Sequence, residues 1–308
     1  MIEVEQLTKR FGALVAVDGL DFRVCPGEVV ALLGPNGAGK STTMKMIAGF
    51  LAPDGGRVRV AGHDVAGDGL AARRALGYLP EGAPGYGEME VLDFLGFVAD
   101  VRGLSGARRR ERTEYVIERL QLGRVLRQPL DTLSKGFRRR VGFAAAILHD
   151  PPVLLLDEPT DGLDPNQKHE VRGLIQSLAR ERTIMLSTHL LEEVEAIATR
   201  ALVIAGGRLR ADHTPAELLA RSRYHGAVSF RAPDSVAAVA ALDGLVAPAD
   251  TEVEPREGRV FLLSRARPLD PGPVAARLSG RGVAFSDLRV ERGRLDDVFR
   301  ALTLGEAA

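Results

Sequence analysis

Residues Gly34 to Thr42 read G-P-N-G-A-G-K-S-T, and this stretch limits the fold more than any other part of the chain. The apolar run Val29–Leu33 precedes it and Thr43–Ala48 follows it. Strand, loop and helix in that order are the setting that the phosphate-loop pattern G-x-x-x-x-G-K-S/T requires. Gly34, Pro35, Asn36, Gly37, Ala38 and Gly39 form a loop whose glycines let the backbone curl. Successive N–H groups then point inward as an anion-binding nest. Lys40, Ser41 and Thr42 open the helix, whose N-terminal end adds positive potential. Lys40 reaches the outer phosphates and the Ser41 hydroxyl a magnesium ion. The loop thus predicts a nucleoside triphosphate, not what is done with it.

Length and charge narrow the possibilities. A chain of 308 residues suggests two domains and can bury a large core. The 41 basic and 41 acidic side chains cancel, which argues against a nucleic-acid partner. The single cysteine, Cys25, excludes an internal disulfide and a Cys-rich metal site, and it points to a reduced compartment. Cys25 ends an alternating run, so a structural thiol is expected. No charged leader precedes an apolar stretch, and no signal peptide is read. Apolar runs such as Val141–Leu148 fall far short of the ~20 residues of a membrane span. If the protein works at a membrane, another chain must cross it.

Along the chain, Ile2–Leu7 alternates as a half-buried strand, and Val15–Val17 and Leu20–Val24 read as two more. Arg57–Val60 is another strand. Leu76–Glu81 opens a glycine-rich loop that runs to about Gly87. Helices are read over Val91–Gly103, Ala107–Leu120, Arg138–Leu148, Gln167–Ala179 and Leu190–Thr199, and buried strands over Val153–Leu156 and Thr183–His189. A hairpin at 201–210 closes the series. Apolar strands alternating with helices predict a largely parallel sheet covered on both faces. From about Tyr224 the order becomes β-α-β-β-α-β, ending in the amphipathic helix Leu295–Leu302, which suggests a ferredoxin-like module. That module carries no phosphate loop or nucleophile pattern.

Two further stretches carry chemistry. Val153–Asp157 delivers a carboxylate to the sheet's C-terminal edge, where open α/β sheets bind ligands. Asp157 suits magnesium. Glu158, one residue on, points elsewhere and can address a water near the γ-phosphate, a division of labour that metal-assisted hydrolysis needs. In Leu133-Ser134-Lys135-Gly136-Phe137, Ser134 and Gly136 sit just before a helix and make a second anion site.

Taken together these motifs resemble the ATP-binding subunit of a bacterial ABC transporter, over about residues 1–220. Gly34–Thr42 matches Walker A, Val153–Glu158 Walker B with its catalytic glutamate, and Leu133–Phe137 the signature L-S-G-G-Q. Leu163-Asp164 matches the D-loop and His189 the switch histidine, and Phe11 falls where the family stacks an aromatic on adenine. The resemblance implies an ABC-type α/β P-loop cassette in residues 1–220. It would have a mostly parallel core sheet, an antiparallel β subdomain and a helical subdomain at about 88–150, with a C-terminal α+β module at 224–308. It also implies ATP and Mg2+ as ligands, and catalytic roles for Glu158 and His189. Ser41, Asp157 and Glu81 would be the metal contacts. Two copies would join head to tail, with Ser134 and Gly136 serving the partner's nucleotide and Asp164 counted among the nucleotide-binding residues. A separate export-type permease would hold the dimer at the cytoplasmic face of the membrane.

Two departures stand out. Glu81 takes the place of the family's Q-loop glutamine and cannot donate a hydrogen bond when ionised. Lys135 and Phe137 replace Gly and Gln of the signature. A soluble ABC ATPase acting on ribosomes or DNA, or a nucleotide-dependent regulator that hardly turns over, are the competing readings. One cassette, no heptad run and no net positive charge count against the first, and intact Glu158 and His189 against the second.

Overall fold

The computed structural model describes all residues except 83, 84, 244, 246–250, 257, 265–268 and 305–308; for 251–256, 264 and 304 only the backbone is described. Parts of the expected 76–87 loop and of the C-terminal module therefore lie outside the described residues. The alternating N-terminal run becomes Ile2–Phe11 (β1), paired antiparallel with Leu14–Val24 (β2), Ile2 opposite Val24 and Phe11 opposite Leu14. The two short strands expected in this region are one, with Gly19 at φ +63° marking an irregularity between them. Cys25 is exposed, not packed inside. The buried alternation of β2 ends at Val24, and the chain then turns outward.

Val29–Leu33 (β3) leads through the glycine loop into Lys40–Ile47 (α1). Gly55–Val60 (β4) pairs with the other side of β1 and His63–Asp64 (β5) with β4, completing an antiparallel sheet in the order β2-β1-β4-β5. After Gly69–Arg74 (α2) and Leu76–Leu79 (β6) come Val91–Val101 (α3), Gly106–Arg119 (α4) and Lys135–Ile147 (α5). These last three helices pack on one another. The core sheet is completed by Val153–Asp157 (β7), Pro165–Ala179 (α6), Thr183–Thr188 (β8), Leu191–Ile197 (α7), Arg200–Ala205 (β9) and Arg208–His213 (β10). Its order is β10-β9-β3-β8-β7-β6, parallel except for the β9–β10 hairpin.

Every residue of β3, β7 and β8 is buried. This is why they read as unbroken apolar runs and not as alternations. Each leucine of Leu154–Leu156 removed from water contributes roughly 1.5–3 kcal/mol. Register matters more for the site. Leu33 lies opposite Thr188, and Asp157 opposite Ser187. The glycine loop, the end of β7 and the residues after β8 therefore leave the sheet at one edge.

Two helix starts differ from expectation. Helix α5 begins at Lys135, not Arg138, because the Ser134 hydroxyl caps it by accepting from the Phe137 N–H. Helix α6 begins at Pro165, with Asp164 and Gln167 forming a capping box. In both cases Gly136 or Pro165 disguises a first turn that the cap secures.

The chain divides into two compact units, Met1–Pro215 and Ala216–Ala308. Pro215–Ala220 (α8) spans that boundary. The second unit holds Val228–Arg231 (β11), Ser235–Ala241 (α9), Thr251–Arg256 (β12), Arg259–Ser264 (β13), Pro271–Gly280 (α10), Ser286–Val290 (β14) and Leu295–Leu304 (α11). Its sheet runs β12-β13-β11-β14, antiparallel throughout. With one helix after the first strand and one before the last, this is the ferredoxin-like arrangement. Val283 and Phe285 pack on the core just before β14 begins. Among the described residues no helix is long and apolar enough to cross a membrane.

Candidate nucleotide site

The loop between β3 and α1 is held in a tight curl. Gly39 has φ +103°, and a Cβ there would lie 2.4 Å from the Ala16 carbonyl oxygen. A Cβ on Gly34 would lie 2.5 Å from that of Ile204. Backbone from β2 and β9 thus approaches where only hydrogen fits. Pro35, Asn36 and Gly37 form the exposed crest, Ala38 is buried, and Ser41 and Thr42 are half-buried. Lys40 is buried and its Nζ donates to the carbonyls of Gly34 (2.6 Å) and Pro35 (3.2 Å). Burial pushes the Lys40 ammonium below its usual pKa, and the nearby carboxylates of Glu158, Asp157 and Glu81 pull it the other way.

Asp157 is buried at the end of β7. Its Oδ1 accepts from the Ser187 hydroxyl, while Oδ2 is buried with no hydrogen-bond partner. A buried carboxylate oxygen left open calls for a ligand. A hard cation that takes one carboxylate and a Ser hydroxyl, and otherwise water and phosphate, suits it. Among the described residues no group of three or more His, Cys, Asp and Glu could hold a metal without such help. Glu158 has φ +51°, unusual for a residue with a side chain. Its N–H donates to the Ser187 carbonyl at 3.1 Å, and its Oε2 meets His189 Nδ1 at 2.9 Å. His189 follows the last residue of β8 and is exposed.

The other residues singled out lie as follows. Glu81 is exposed on the loop after β6. Ser134 is spent partly on capping α5. A Cβ on Gly136 would come 2.7 Å from Gln167 Oε1, so the signature packs against the start of α6. Asp164 caps α6 by accepting from the Gln167 N–H at 2.9 Å. Lys135 forms a 2.7 Å ion pair with Asp161 of the turn before α6, and the Phe137 ring lies 4.6 Å from the Arg124 guanidinium carbon. Phe11 is exposed at the end of β1, with Lys9 Nζ 5.7 Å above its ring.

Sequence reasoning missed Ser187 and Arg139. Ser187 sits in a buried strand where nothing but its register marks it. Arg139 is one of three consecutive arginines that open the helix as read from sequence, and no motif singles it out from its neighbours, yet Arg139 and Arg140 are buried.

A curled glycine loop between a buried parallel strand and a helix, with a carboxylate at the same sheet edge two strands away, is the arrangement of a P-loop ATPase. Residues 17–161 match the model of the family described as ABC transporter. The chain is 36% identical over 305 residues to the Nod factor export ATP-binding protein I of Paraburkholderia xenovorans, covering 98% of this chain and 96% of that protein. It is also 36% identical over 310 residues to the daunorubicin/doxorubicin resistance ATP-binding protein DrrA of Streptomyces peucetius, covering 98% and 92%. A solved ATP-binding subunit of an ABC transporter is similar with TM-score 0.67 and 33% identity, over 71% of this chain and 91% of that one. The chain belongs to the ABC transporter family, as an ATP-binding and ATP-hydrolysing subunit.

Proposed function

We propose that this chain powers an export transporter whose membrane-spanning permease is a separate protein. It would work as a head-to-tail pair of copies at the cytoplasmic face of the membrane. The observation that carries the hydrolytic part is the 2.9 Å contact between Glu158 and His189, formed beside the open oxygen of Asp157. Export rests on the relatives named for exporting Nod factor and for resistance to daunorubicin.

In this reading the loop N–H groups and Lys40 take the phosphates, Lys40 exchanging its Gly34 and Pro35 carbonyls for phosphate oxygens. Ser41 and Asp157 would hold Mg2+, with Glu81 as a further contact. Held there, the ion would supply positive charge to neutralise what develops on the phosphate oxygens. Glu158 orients the attacking water and draws on its proton. His189 holds the Glu158 carboxylate in place and contacts the γ-phosphate. Ser134 and Gly136 at the start of α5, with Asp164 nearby, complete the nucleotide site of the second copy, and Phe11 stacks on its own adenine.

Phe50, Leu70 and Val101 are exposed along a groove that Tyr78, Pro80, Arg73 and Arg102 also line. Apolar side chains ringed by arginines suit a helix of the permease, and in this reading its coupling helix docks on the part of the groove within Tyr78–Gly103.

Glu158→Gln tests the reading. The amide keeps the shape and loses the base, so ATP binding is retained and turnover falls by about 10²–10⁴-fold. In detergent-solubilised membranes with ATP and magnesium, the tagged variant retains a multi-span membrane protein. Full turnover in the variant sinks Glu158 as the activating group. Recovery with ribosomal or DNA-repair proteins instead favours a soluble ABC ATPase.

A further inference from the structure

Arg139 is a buried cation beside the nucleotide site that the steps above leave unused. It lies on α5 beyond the Ser134 cap and is 6% exposed. Its guanidinium donates to main-chain carbonyls of two segments far apart in sequence. Nη1 reaches Pro80 at 2.6 Å and Gly82 at 3.2 Å. Nη2 reaches Glu158 at 2.6 Å and also the carbonyl of Asp157. Pro80 and Gly82 flank Glu81, so one planar fork grips the carbonyls of the residues on either side of Glu81 and those of Asp157 and Glu158.

A cation buried this far is tolerated only with good partners and compensating charge. The carbonyls supply the hydrogen bonds. Asp157, Asp161, Glu158 and Glu81 supply the charge and counter the fall in pKa that burial causes. The fork also bears on the left-handed backbone at Glu158, φ +51°. Ser187 holds that residue by its N–H and Arg139 by its carbonyl. A strained residue persists when its surroundings fix it from several sides.

We infer that Arg139 is a positioning residue for ATP turnover: its guanidinium ties the Glu81 loop to the end of β7, so that Glu81, Asp157 and Glu158 keep one geometry relative to each other. The inference rests on the reading of Glu158 as the group that activates water. A lysine at this position keeps the charge, but one compact ammonium cannot span both segments as the planar fork does.

The test is steady-state ATP hydrolysis by full-length Arg139→Lys, with thermal unfolding as the control, alone and combined with Glu81→Ala. Misplacement of a site by about an ångström costs on the order of a hundredfold. The expected result is a kcat lower by on the order of ten- to a hundredfold, with KM for ATP within about threefold of the wild type. The loss should shrink in the Glu81→Ala background, where there is no carboxylate to place. A wild-type kcat, a loss carried by KM alone, or an equal loss in both backgrounds overturns the inference. Arg139→Gln, read on the same scale, serves if the lysine variant does not fold. If neither folds, Arg139 is a determinant of the fold and the inference fails. Absence of magnesium-dependent turnover in the wild type would sink the proposed function itself, which a failure of the clamp alone leaves standing.

Discussion

At the residue scale, legibility followed chemistry. Lys40, Ser41, Asp157 and Glu158 belong to motifs in which the spacing itself encodes the geometry, and the β3–β8–β7 register brings their segments to one edge. Arg139 left no such mark, because its partners are main-chain carbonyls that any sequence would provide. His149 was equally silent, and it carries a prediction. It is held mostly inside, with Nε2 3.2 Å from the Leu76 carbonyl. Burial, and then the charge of Arg102, push its pKa down from 6.5 to about 4. A folded pKa below the unfolded one means the unfolded chain binds more protons between those values, so stability is full above about pH 6.5 and falls as the pH drops toward 4. By pH 5 the loss from this group is about 2 kcal/mol. His149→Gln keeps a donor for Leu76 and cannot titrate. Urea denaturation at pH 7 and pH 5 should show the wild type losing about 2 kcal/mol more than the variant over that interval. Equal losses would show that His149 is not the acid-sensitive group.

At the element scale, the long buried strands were readable because burial on both faces writes itself as an apolar run. Helix starts were not, because a cap is a hydrogen bond and Ser134 or Asp164 can occupy a loop equally well. The close approach of α5 to β6 was also hidden. Gly77 lies in β6, and a Cβ there would come 2.2 Å from the Ala146 carbonyl and 2.7 Å from Leu154 Cδ2. The first of these is backbone and cannot swing aside. Gly77→Ala should therefore separate α5 from the sheet and cost about 1–3 kcal/mol. Because α5 carries Arg139 and is capped by Ser134, the variant should also hydrolyse ATP more slowly at temperatures where it remains folded. A variant of unchanged denaturation midpoint would mean that α5 and β6 accommodate the methyl by a small shift and are not packed as tightly as these distances state.

At the scale of the whole molecule, the chain reads as two proteins in series, for a reason visible in its cores. The first unit buries Val30, Leu32, Leu155 and Met185 with the antiparallel strands, and the second buries Val228, Phe230, Leu262 and Leu278 around its own sheet. The change from alternating strands and helices to β-α-β-β-α-β was visible in sequence, since each pattern is local. What the second unit touches was not, since a surface carries no periodicity. Separate cores make a thermodynamic prediction. All the residues proposed to face phosphate belong to Met1–Pro215, so ATP should stabilise that unit directly, by about 2.7 kcal/mol when the ligand stands at a hundredfold its Kd. Calorimetry of the full chain should then resolve two transitions, of which nucleotide raises one and leaves the other in place. Glu158→Gln, which on the proposed role of Glu158 should hold the nucleotide unhydrolysed, gives the cleanest comparison. A single transition that shifts as a whole would instead mean that residues 216–308 fold only together with the cassette, and that the second unit shares in nucleotide binding energy despite a core of its own.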